Sequence, residues 1–377
     1  MKKIFFAQQL FDGLDWQTNQ CLEIEHGKVT RLYAGTAAQA DLVLEGLLVP
    51  GFIDVQVNGG GGVLFNNQCT VAALQTMSQA HQRYGTTLML PTLITDAYPV
   101  MSAAADAMSE AISQQMPGVC GIHFEGPHLS APKKGIHPQS HIRTISDKEL
   151  ALFTRQDLGK VIITVAPENV PVDVIADLVR QGVRVCLGHS NARAEQVEAA
   201  LTAGASGFTH LYNAMSPLTS REAGMVGIAL LDDAAFCGLI VDHHHVSQAS
   251  SKLAIKAKGW QKIMLVTDAM SHVGSEQAVE RFLDMEITRQ GDKLTIADGT
   301  LAGSALDMAS AVRNVHLDLQ LPLQQSLQMA SLTPAHFLGL EQQYGRIASG
   351  FAADWVLLDK QLQVNSTWIG GQQVFNR

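Results

Sequence analysis

Eight short runs of β-branched and other apolar residues recur along the chain, and the segments between them carry apolar residues at spacings of three and four. This alternation is typical of strands and amphipathic helices in repeated βα units, which build a parallel sheet. Eight units are the number that closes a (β/α)8 barrel. We therefore predict an α/β fold with a TIM-type barrel, in preference to a doubly wound open sheet, with strands in residues 48–57, 87–94, 119–125, 161–166, 183–189, 207–211, 237–241 and 263–267.

The two ends of the chain have a different pattern from the middle. Short alternating strands with glycine-containing turns occupy residues 6–34 and 350–375, which favours hairpins over helices. We predict that both ends pair into one small β-sandwich domain, an arrangement that brings the termini together. The predicted boundaries are residues 1–48 and 345–377 for this domain and 49–344 for the barrel.

Composition limits the partners of this chain. Its 377 residues are 46% hydrophobic and 16% charged, as in a compact globular protein. Acidic residues outnumber basic ones by 35 to 26, which gives a formal net charge of -9. The average surface therefore repels nucleic-acid backbones and anionic membranes, and we expect neither as a partner. An anionic small molecule would need a local cluster of positive groups.

The cysteines and the amino-terminal residues predict a reducing, cytoplasmic location. The five cysteines are far apart and none is in a C-x-x-C pair, so neither a disulfide framework nor a cysteine zinc site is indicated. The first apolar run is interrupted by Gln8, Gln9 and Asp12, too early for a signal peptide. We find no segment that approaches the length of a membrane span.

Side chains of metal-binding types follow several of the predicted strands. Glu125 ends the third run, His189 the fifth and His210 the sixth, and Asp268 follows the eighth. The chemistry of such barrels lies at the carboxyl ends of the strands, where these side chains would meet. Two imidazoles and one carboxylate are a standard ligand set for a catalytic divalent ion with an open position. The sequence therefore predicts a metal site formed by Glu125, His189 and His210.

Other histidines compete for places at the same end of the barrel. His123 shares a strand face with Glu125 but lies one layer deeper, so we expect it to be packed and hydrogen-bonded. Three consecutive histidines follow the seventh run, and only one or two of them can face the barrel mouth. We favour His245 as functional and leave His243 and His244 open.

Seven short motifs follow one another in a specific order and spacing through nearly the whole chain: PGFID at 50–54, HFEGP at 123–127, KKG at 133–135, GHSNA at 188–192, THLYNAM at 209–215, VTDA at 266–269 and GTLAGS at 299–304. Together they resemble the amidohydrolase superfamily and, within it, the N-acetylglucosamine-6-phosphate deacetylase family. The resemblance implies a metal-dependent hydrolase that removes the acetyl group from an amino-sugar phosphate, N-acetylglucosamine 6-phosphate.

One pair of positions departs from the wider superfamily, in which an H-x-H pair usually follows the first strand and helps to hold a second metal. Here the same positions are Gln56 and Asn58, whose neutral amides are poor ligands for transition metals. The resemblance therefore points to the subgroup that uses one divalent ion. Zinc is the expected ion, and iron, cobalt and manganese suit the same ligands.

The resemblance also implies roles for individual residues. Asp268 would be the general base that takes a proton from the attacking water and passes it to the departing amine. Either His137 or His245 would act as the catalytic donor that stabilises the oxyanion. The residues implied in binding the sugar phosphate are Ile136, His137, Asn213, Ala214, Arg221, His245, Leu301, Ala302 and Gly303.

Arg221 lies in residues 217–233, a loop-like insertion without a clear apolar period. Its guanidinium suits a bidentate grip on phosphate. The resembled family consists of homo-oligomers, which implies a homodimer or homotetramer in which this segment could reach a neighbour's site. Lys133 and Lys134 are interpreted as a solvated loop pair that could steer an anion inward.

Three alternatives compete with this interpretation. The substrate could be the galactosamine epimer, because one sequence does not display the contacts that separate epimers. A ring-opening amidase or deaminase commonly needs a bridging carboxylated lysine, but the fourth run ends in Ala166, Pro167 and Glu168. A catalytically silent sugar-phosphate sensor would have lost the base or a metal ligand. This chain keeps both the expected base, Asp268, and the expected ligands, Glu125, His189 and His210.

Overall fold

Twenty strands and ten α-helices are present in residues 2–377, the part of the chain that the computed structural model describes. In chain order the strands are β1 (Lys3–Phe11), β2 (Trp16–Glu25), β3 (Lys28–Ala34), β4 (Leu42–Pro50), β5 (Phe52–Val57), β6 (Gly59–Gly60), β7 (Val63–Leu64), β8 (Thr86–Ile94), β9 (Gly121–Glu125), β10 (Lys160–Val165), β11 (Arg184–Leu187), β12 (Gly207–Phe208), β13 (Phe236–Leu239), β14 (Ile263–Leu265), β15 (Val279–Phe282), β16 (Met285–Gln290), β17 (Lys293–Thr295), β18 (Trp355–Leu358), β19 (Val364–Ile369) and β20 (Gln372–Asn376). The helices are α1 (Val71–Gln82), α2 (Tyr98–Ser113), α3 (Asp147–Phe153), α4 (Val172–Arg180), α5 (Ala194–Thr202), α6 (Gly224–Leu231), α7 (Gln248–Lys258), α8 (Met308–Arg313), α9 (Leu323–Ala330) and α10 (Leu332–Leu338).

Strand β5 and strands β8 to β14 form a parallel sheet in chain order, and each overlaps one of the eight predicted runs. The sheet closes where Val57, at the end of β5, pairs with Ala269 beyond β14. There the backbone N–H of Asn58 also donates to the Ala269 carbonyl at 2.8 Å. The predicted barrel is confirmed. All residues of β5, β8 and β9 are buried, as expected for a parallel sheet that is covered on both faces.

Strands from both chain ends form a second sheet of seven strands, in the order β20-β19-β18-β4-β1-β2-β3. Its core contains Phe5, Trp355 and Trp368. The Phe5 ring packs edge to face on both indoles, with centroids 5.4 and 5.3 Å away, a geometry that adds to the free energy of simple area burial. The expected β structure from both ends is confirmed, and the boundaries near residues 48 and 345 stay predictions.

Helix α6 lies within residues 217–233, which were predicted to be a loop. That prediction was wrong because the helix is apolar on nearly every side and therefore shows no period. Its first six residues, 224–229, are buried, and a helix that is apolar all round is stable in such surroundings.

A small antiparallel sheet, β15 to β17, is inserted between β14 and α8 and was not predicted from the sequence. Phe282, Ile287 and Leu294 on these strands are buried and belong to a separate hydrophobic cluster that also contains Ile136 and Ala302. The insertion therefore packs against two segments that reach the barrel mouth. Among residues 2–377, no helix is both long enough and apolar enough to cross a bilayer.

Candidate active site

A cavity of about 330 Å³ opens at the carboxyl ends of the barrel strands. Its walls combine the strand-end polar residues with two loop segments, one at 132–137 and one at 300–303. The lining residues are Asn58, Ile94, Glu125, Pro132, Lys133, Gly135, Ile136, His137, His189, His210, Asn213, Ala214, His245, Asp268, Thr300, Leu301 and Gly303.

Three buried side chains converge at the floor of this pocket. Glu125 Oε1 lies 3.0 Å from His189 Nε2 and 3.0 Å from His210 Nε2, and the two nitrogens are 2.9 Å apart. Burial opposes ionisation of Glu125, but the two histidines outweigh it and hold its pKa well below its usual range. The three ligand atoms are close enough to share one metal ion.

The hydrogen bond at Nδ1 of His189 leaves Nε2 of the same ring facing the cluster. This Nδ1 lies 2.9 Å from the carbonyl oxygen of Lys133, and a carbonyl can only accept, so Nδ1 carries the hydrogen. Nε2 is therefore the nitrogen that faces Glu125 and His210. Burial opposes protonation of His210, but Glu125 outweighs it and raises the His210 pKa. A cation, either this proton or a metal ion, relieves the repulsion among the three close atoms. Two imidazole nitrogens and one carboxylate oxygen fit a divalent transition metal, and a carbonyl on the other nitrogen commonly orients such a ligand.

The backbone turns sharply where these side chains leave the strands. His189, His210 and Asp268 have φ values of +47°, +32° and +52°, in the left-handed region that residues with a Cβ rarely adopt. Such a conformation persists only where the surrounding structure holds it, and it is frequent at functional sites. Here it aims the side chains into the pocket instead of along the barrel wall.

Asp268 stands beside the cluster of Glu125, His189 and His210 and is held by two neutral amides. Its Oδ1 accepts from Asn58 Nδ2 at 2.7 Å and from Gln56 Nε2 at 3.1 Å. Burial, together with the nearby charge of Glu125, raises the pKa of Asp268 to about 6. A carboxyl group in this range can take up and release a proton near neutral pH.

The two candidate histidines have different surroundings. His137 Nδ1 lies 2.9 Å from Thr95 Oγ1, and its Nε2 lies 4.0 Å from Glu125 Oε1. Burial, reinforced by His189, lowers the pKa of His137 well below its usual value, so the ring is neutral. His245 Nδ1 forms a hydrogen bond of 2.6 Å with Asp242 Oδ2. His137 Nε2 therefore faces the cluster of Glu125, His189 and His210, whereas the Asp242 carboxylate fixes the orientation of His245.

Comparison with known proteins identifies the family. A family model described as "Amidohydrolase family" matches residues 47–374. The chain belongs to the amidohydrolase family. The N-acetylgalactosamine-6-phosphate deacetylase of Shewanella sp. (strain ANA-3) is 50% identical over 95% of this chain and 92% of its own. The N-acetylglucosamine-6-phosphate deacetylase of Haemophilus influenzae is 36% identical over 86% of each chain.

Solved structures share the fold of this amidohydrolase over its whole length. The crystal structure of N-acetylglucosamine-6-phosphate deacetylase from Pasteurella multocida has a TM-score of 0.96 and 33% sequence identity, and the match covers 100% of both chains. A mutant of N-acetyl-D-glucosamine-6-phosphate deacetylase from Mycobacterium smegmatis, in complex with N-acetyl-D-glucosamine-6-phosphate, has a TM-score of 0.93 and 29% identity over 100% of both chains. The predicted family is confirmed.

The amidohydrolase pocket gathers every predicted site residue except Arg221 and Ala302. Ala302 is fully buried and donates its backbone N–H to Leu294 at 3.2 Å, so it supports the pocket wall from behind. Arg221 is exposed and does not line the pocket of its own chain. The functional roles of all these residues stay predictions.

The structure also decides positions that the sequence left open. His243 and His244 lie outside the pocket, where they pair with Asp318 and Asp292 at 2.9 and 2.8 Å. His123 is buried and hydrogen-bonded as expected, with its Nε2 2.7 Å from Thr164 Oγ1 and its Nδ1 3.1 Å from the Val55 carbonyl oxygen.

Beyond the predicted set, the pocket is lined by Asn58, Ile94, Pro132, Lys133, Gly135 and Thr300. Thr95 and Asp242 do not line it but form hydrogen bonds with His137 and His245. Lys133 lines the pocket and is half-buried, so it is not merely one of a solvated pair. Its place four residues before His137 was the available signal. Thr95 follows a predicted strand, and Asp242 precedes His245 by three residues, so strand-end position and turn spacing could have indicated both.

Proposed function

We propose that this amidohydrolase is a metal-dependent deacetylase that hydrolyses N-acetylglucosamine 6-phosphate to glucosamine 6-phosphate and acetate. The observation that carries the proposal is the buried cluster of Glu125, His189 and His210 with Asp268 beside it, in a chain whose relatives are named as deacetylases of N-acetylated hexosamine phosphates. A reducing cytoplasm is the proposed location, which is consistent with five free cysteines.

Glu125, His189 and His210 would hold one divalent ion, with zinc proposed ahead of iron, cobalt and manganese. When bound, such an ion supplies Lewis acidity to the acetyl carbonyl and to a water molecule. The protein supplies a buried pocket in which dipoles and charges act strongly, because bulk water does not screen them.

Asp268 is proposed to move the proton. It lines the pocket, and its pKa of about 6 suits an acid and base at neutral pH. Its carboxylate would take a proton from water as the oxygen forms a bond to the acetyl carbon. It would then give that proton to the sugar nitrogen as the C–N bond breaks, leaving acetate and a free amine.

His137 is proposed to face the acetyl oxygen and His245 the phosphate. The reason is that His137 Nε2 is close to the metal-binding cluster, while His245 is fixed by Asp242. Ile136, Asn213, Ala214, Leu301 and Gly303 would enclose the sugar, with Ala302 behind them. Arg221 is proposed to reach the phosphate from a neighbouring subunit of a homodimer or homotetramer, because it lies outside its own pocket.

The galactosamine epimer is a second candidate substrate. The observation that favours it is the relative from Shewanella, which is named as an N-acetylgalactosamine-6-phosphate deacetylase and is 50% identical. A further relative of that name, from Escherichia coli O157:H7, is 33% identical over 99% of this chain. The two epimers share the acetamide and the phosphate and differ at one hydroxyl group, so the same catalytic residues would serve either.

Acetate release from each epimer, with Asp268→Asn as the control, tests the proposal. We expect a higher kcat/KM with N-acetylglucosamine 6-phosphate and a loss of turnover in the control. A higher kcat/KM with the galactosamine epimer would transfer the assignment to the second candidate. No acetate from either substrate would contradict both.

A further inference from the structure

Two amide side chains reach the active site from the end of β5. Gln56 and Asn58 are each 1% exposed, and their spacing of two places them on the same strand face. Gln56 Nε2 lies 3.1 Å from Asp268 Oδ1 and 3.3 Å from each carboxylate oxygen of Glu125. Asn58 Nδ2 lies 2.7 Å from Asp268 Oδ1 and 3.3 Å from the Asp268 carbonyl oxygen.

The surroundings of these amides determine which end of each group faces Asp268. The partners of both nitrogens are carboxylate and carbonyl oxygens, which accept hydrogen bonds. An amide oxygen in the same place would meet other lone pairs and repel them. The NH2 groups of Gln56 and Asn58 must therefore point at Asp268.

The hydrogen bonds from both side-chain amides are accepted by the same oxygen of the Asp268 carboxylate. Within residues 2–377 no side-chain hydrogen bond reaches its Oδ2, while Oδ1 accepts two. The backbone is fixed as well, because Asp268 N donates to Gln56 O at 3.0 Å and Ser304 N donates to Asp268 O at 2.9 Å. One oxygen is thus immobilised and the other is left to exchange a proton.

Gln56 also links two acidic groups. Its single NH2 group has two hydrogens, one for Asp268 and one for the Glu125 carboxylate. The amide carries no net charge, so it separates and orients the two carboxyl groups without adding a cation to the site. A carboxylate held on one side by donors loses rotational freedom that it would otherwise have to give up during reaction.

We propose that Gln56 and Asn58 form an amide clamp, a pair of positioning residues that fix Oδ1 of Asp268 and present Oδ2 to the water and the departing amine. The clamp rests on the proposed function, because it acts through the general base of that reaction. The competing explanation is that the two amides only fill buried space and stabilise the fold.

A double-mutant cycle separates the two explanations. The variants are Asn58→Leu, which keeps a similar volume and removes the donor, Asp268→Asn, and the combination of both. The matched control is Gln328→Leu: Gln328 is also a buried amide and donates to a backbone carbonyl, Gly13 O at 2.8 Å, but neither residue lines the pocket. Acetate release is followed with substrate labelled in the acetyl group, so that slow variants can be measured.

The clamp predicts a specific kinetic pattern. Asn58→Leu should lower kcat by about 10²-fold and change KM by less than about threefold, the size of effect expected when a catalytic group is misplaced by about 1 Å. In the Asp268→Asn background the same change should lower kcat by less than about threefold, because the group it positions is already lost. Gln328→Leu should keep kcat within about threefold while lowering the melting temperature as Asn58→Leu does.

Two results would overturn the clamp while leaving the proposed function intact. One is a fall in kcat that Asn58→Leu causes to the same extent in the parent and in the Asp268→Asn background, since the effects of the two substitutions would then be independent. The other is a crystal structure of Asn58→Leu in which the Asp268 carboxylate keeps the parent orientation. That structure tests the clamp without turnover, so a parent protein that releases no acetate would overturn the proposed function alone.

Discussion

Asp354, in the terminal sheet, offers a quantitative test of how burial sets the stability of this protein. Its carboxyl group is buried, and Oδ1 accepts the backbone N–H of Gly370 at 2.7 Å. Burial raises the pKa of Asp354 to about 7 from an ordinary value of 3.8. Asp354→Asn keeps an acceptor for Gly370 and removes the ionisable group, so the variant isolates the cost of the buried charge.

The sign of the effect follows from the raised pKa of Asp354. Between about pH 4 and pH 7 the folded protein retains a proton that the unfolded chain has released, so the free energy of unfolding falls as the pH rises. The shift is about 3 pH units at about 1.4 kcal/mol each, an upper limit of about 4 kcal/mol. We expect Asp354→Asn to match the parent near pH 4 and to exceed its stability at pH 8 by up to this amount.

Urea denaturation of the parent and of Asp354→Asn at pH 4 to 8 measures the difference. The control is Asp359→Asn: partial burial opposes ionisation of Asp359, but hydrogen bonds from the Gln363 backbone N–H and from Arg377, at 2.6 Å, outweigh it and lower the pKa of Asp359. Its stabilisation is complete above the unfolded pKa, so the control should shift stability without changing the slope between pH 5 and pH 8. Equal slopes for the parent and Asp354→Asn would refute the reasoning.

Three further predictions concern the pocket and the terminal sheet. Asp242→Asn should raise KM about tenfold and leave kcat within about threefold in steady-state kinetics, because it weakens the 2.6 Å bond that fixes His245 at the proposed phosphate end; a loss confined to kcat would contradict this. Trp355→Ala should lower the free energy of unfolding by about 3 to 5 kcal/mol, whereas Trp16→Ala, at a side chain that is 47% exposed, should cost less than about 1 kcal/mol. Arg221→Ala should lower kcat/KM. If Arg221 serves a neighbour's site, subunits of this variant mixed with Asp268→Asn subunits should show more activity than the two variants assayed separately; a mixture with only the sum of the two separate activities would exclude that arrangement.

The barrel was predictable because its strands are buried on both faces and separated by periodic helices, so the alternation is visible along the sequence. The convergence of Glu125, His189 and His210 was predictable for the same reason, since each of them ends a recognisable strand; their role as metal ligands stays a prediction. Helix α6 was missed because an almost wholly apolar segment has no period. The β15 to β17 insertion was missed because its strands have only three to six residues each and bury only one or two side chains each, too few to show a period.

Contacts between side chains that lie far apart in the chain could not be predicted from the sequence. The bond from His137 to Thr95 spans 42 residues, and the amides of Gln56 and Asn58 meet Asp268 across more than 200. Residue type suggested that Gln56 and Asn58 were not metal ligands, but it did not indicate that both would bind the Asp268 carboxylate. The orientation of His189 likewise depends on the backbone carbonyl of Lys133. Every residue has such a carbonyl, so residue identity does not reveal this contact.

The most direct test of the central claim is a titration of metal-stripped protein with zinc, in which acetate release and bound metal are measured on the same samples. If Glu125, His189 and His210 hold one ion that the reaction needs, the rate should rise from near zero and reach its plateau at one zinc per chain. Glu125→Gln should bind less metal and stay inactive over the same range. A plateau at two ions per chain, or a rate that is unchanged by stripping, would contradict the account.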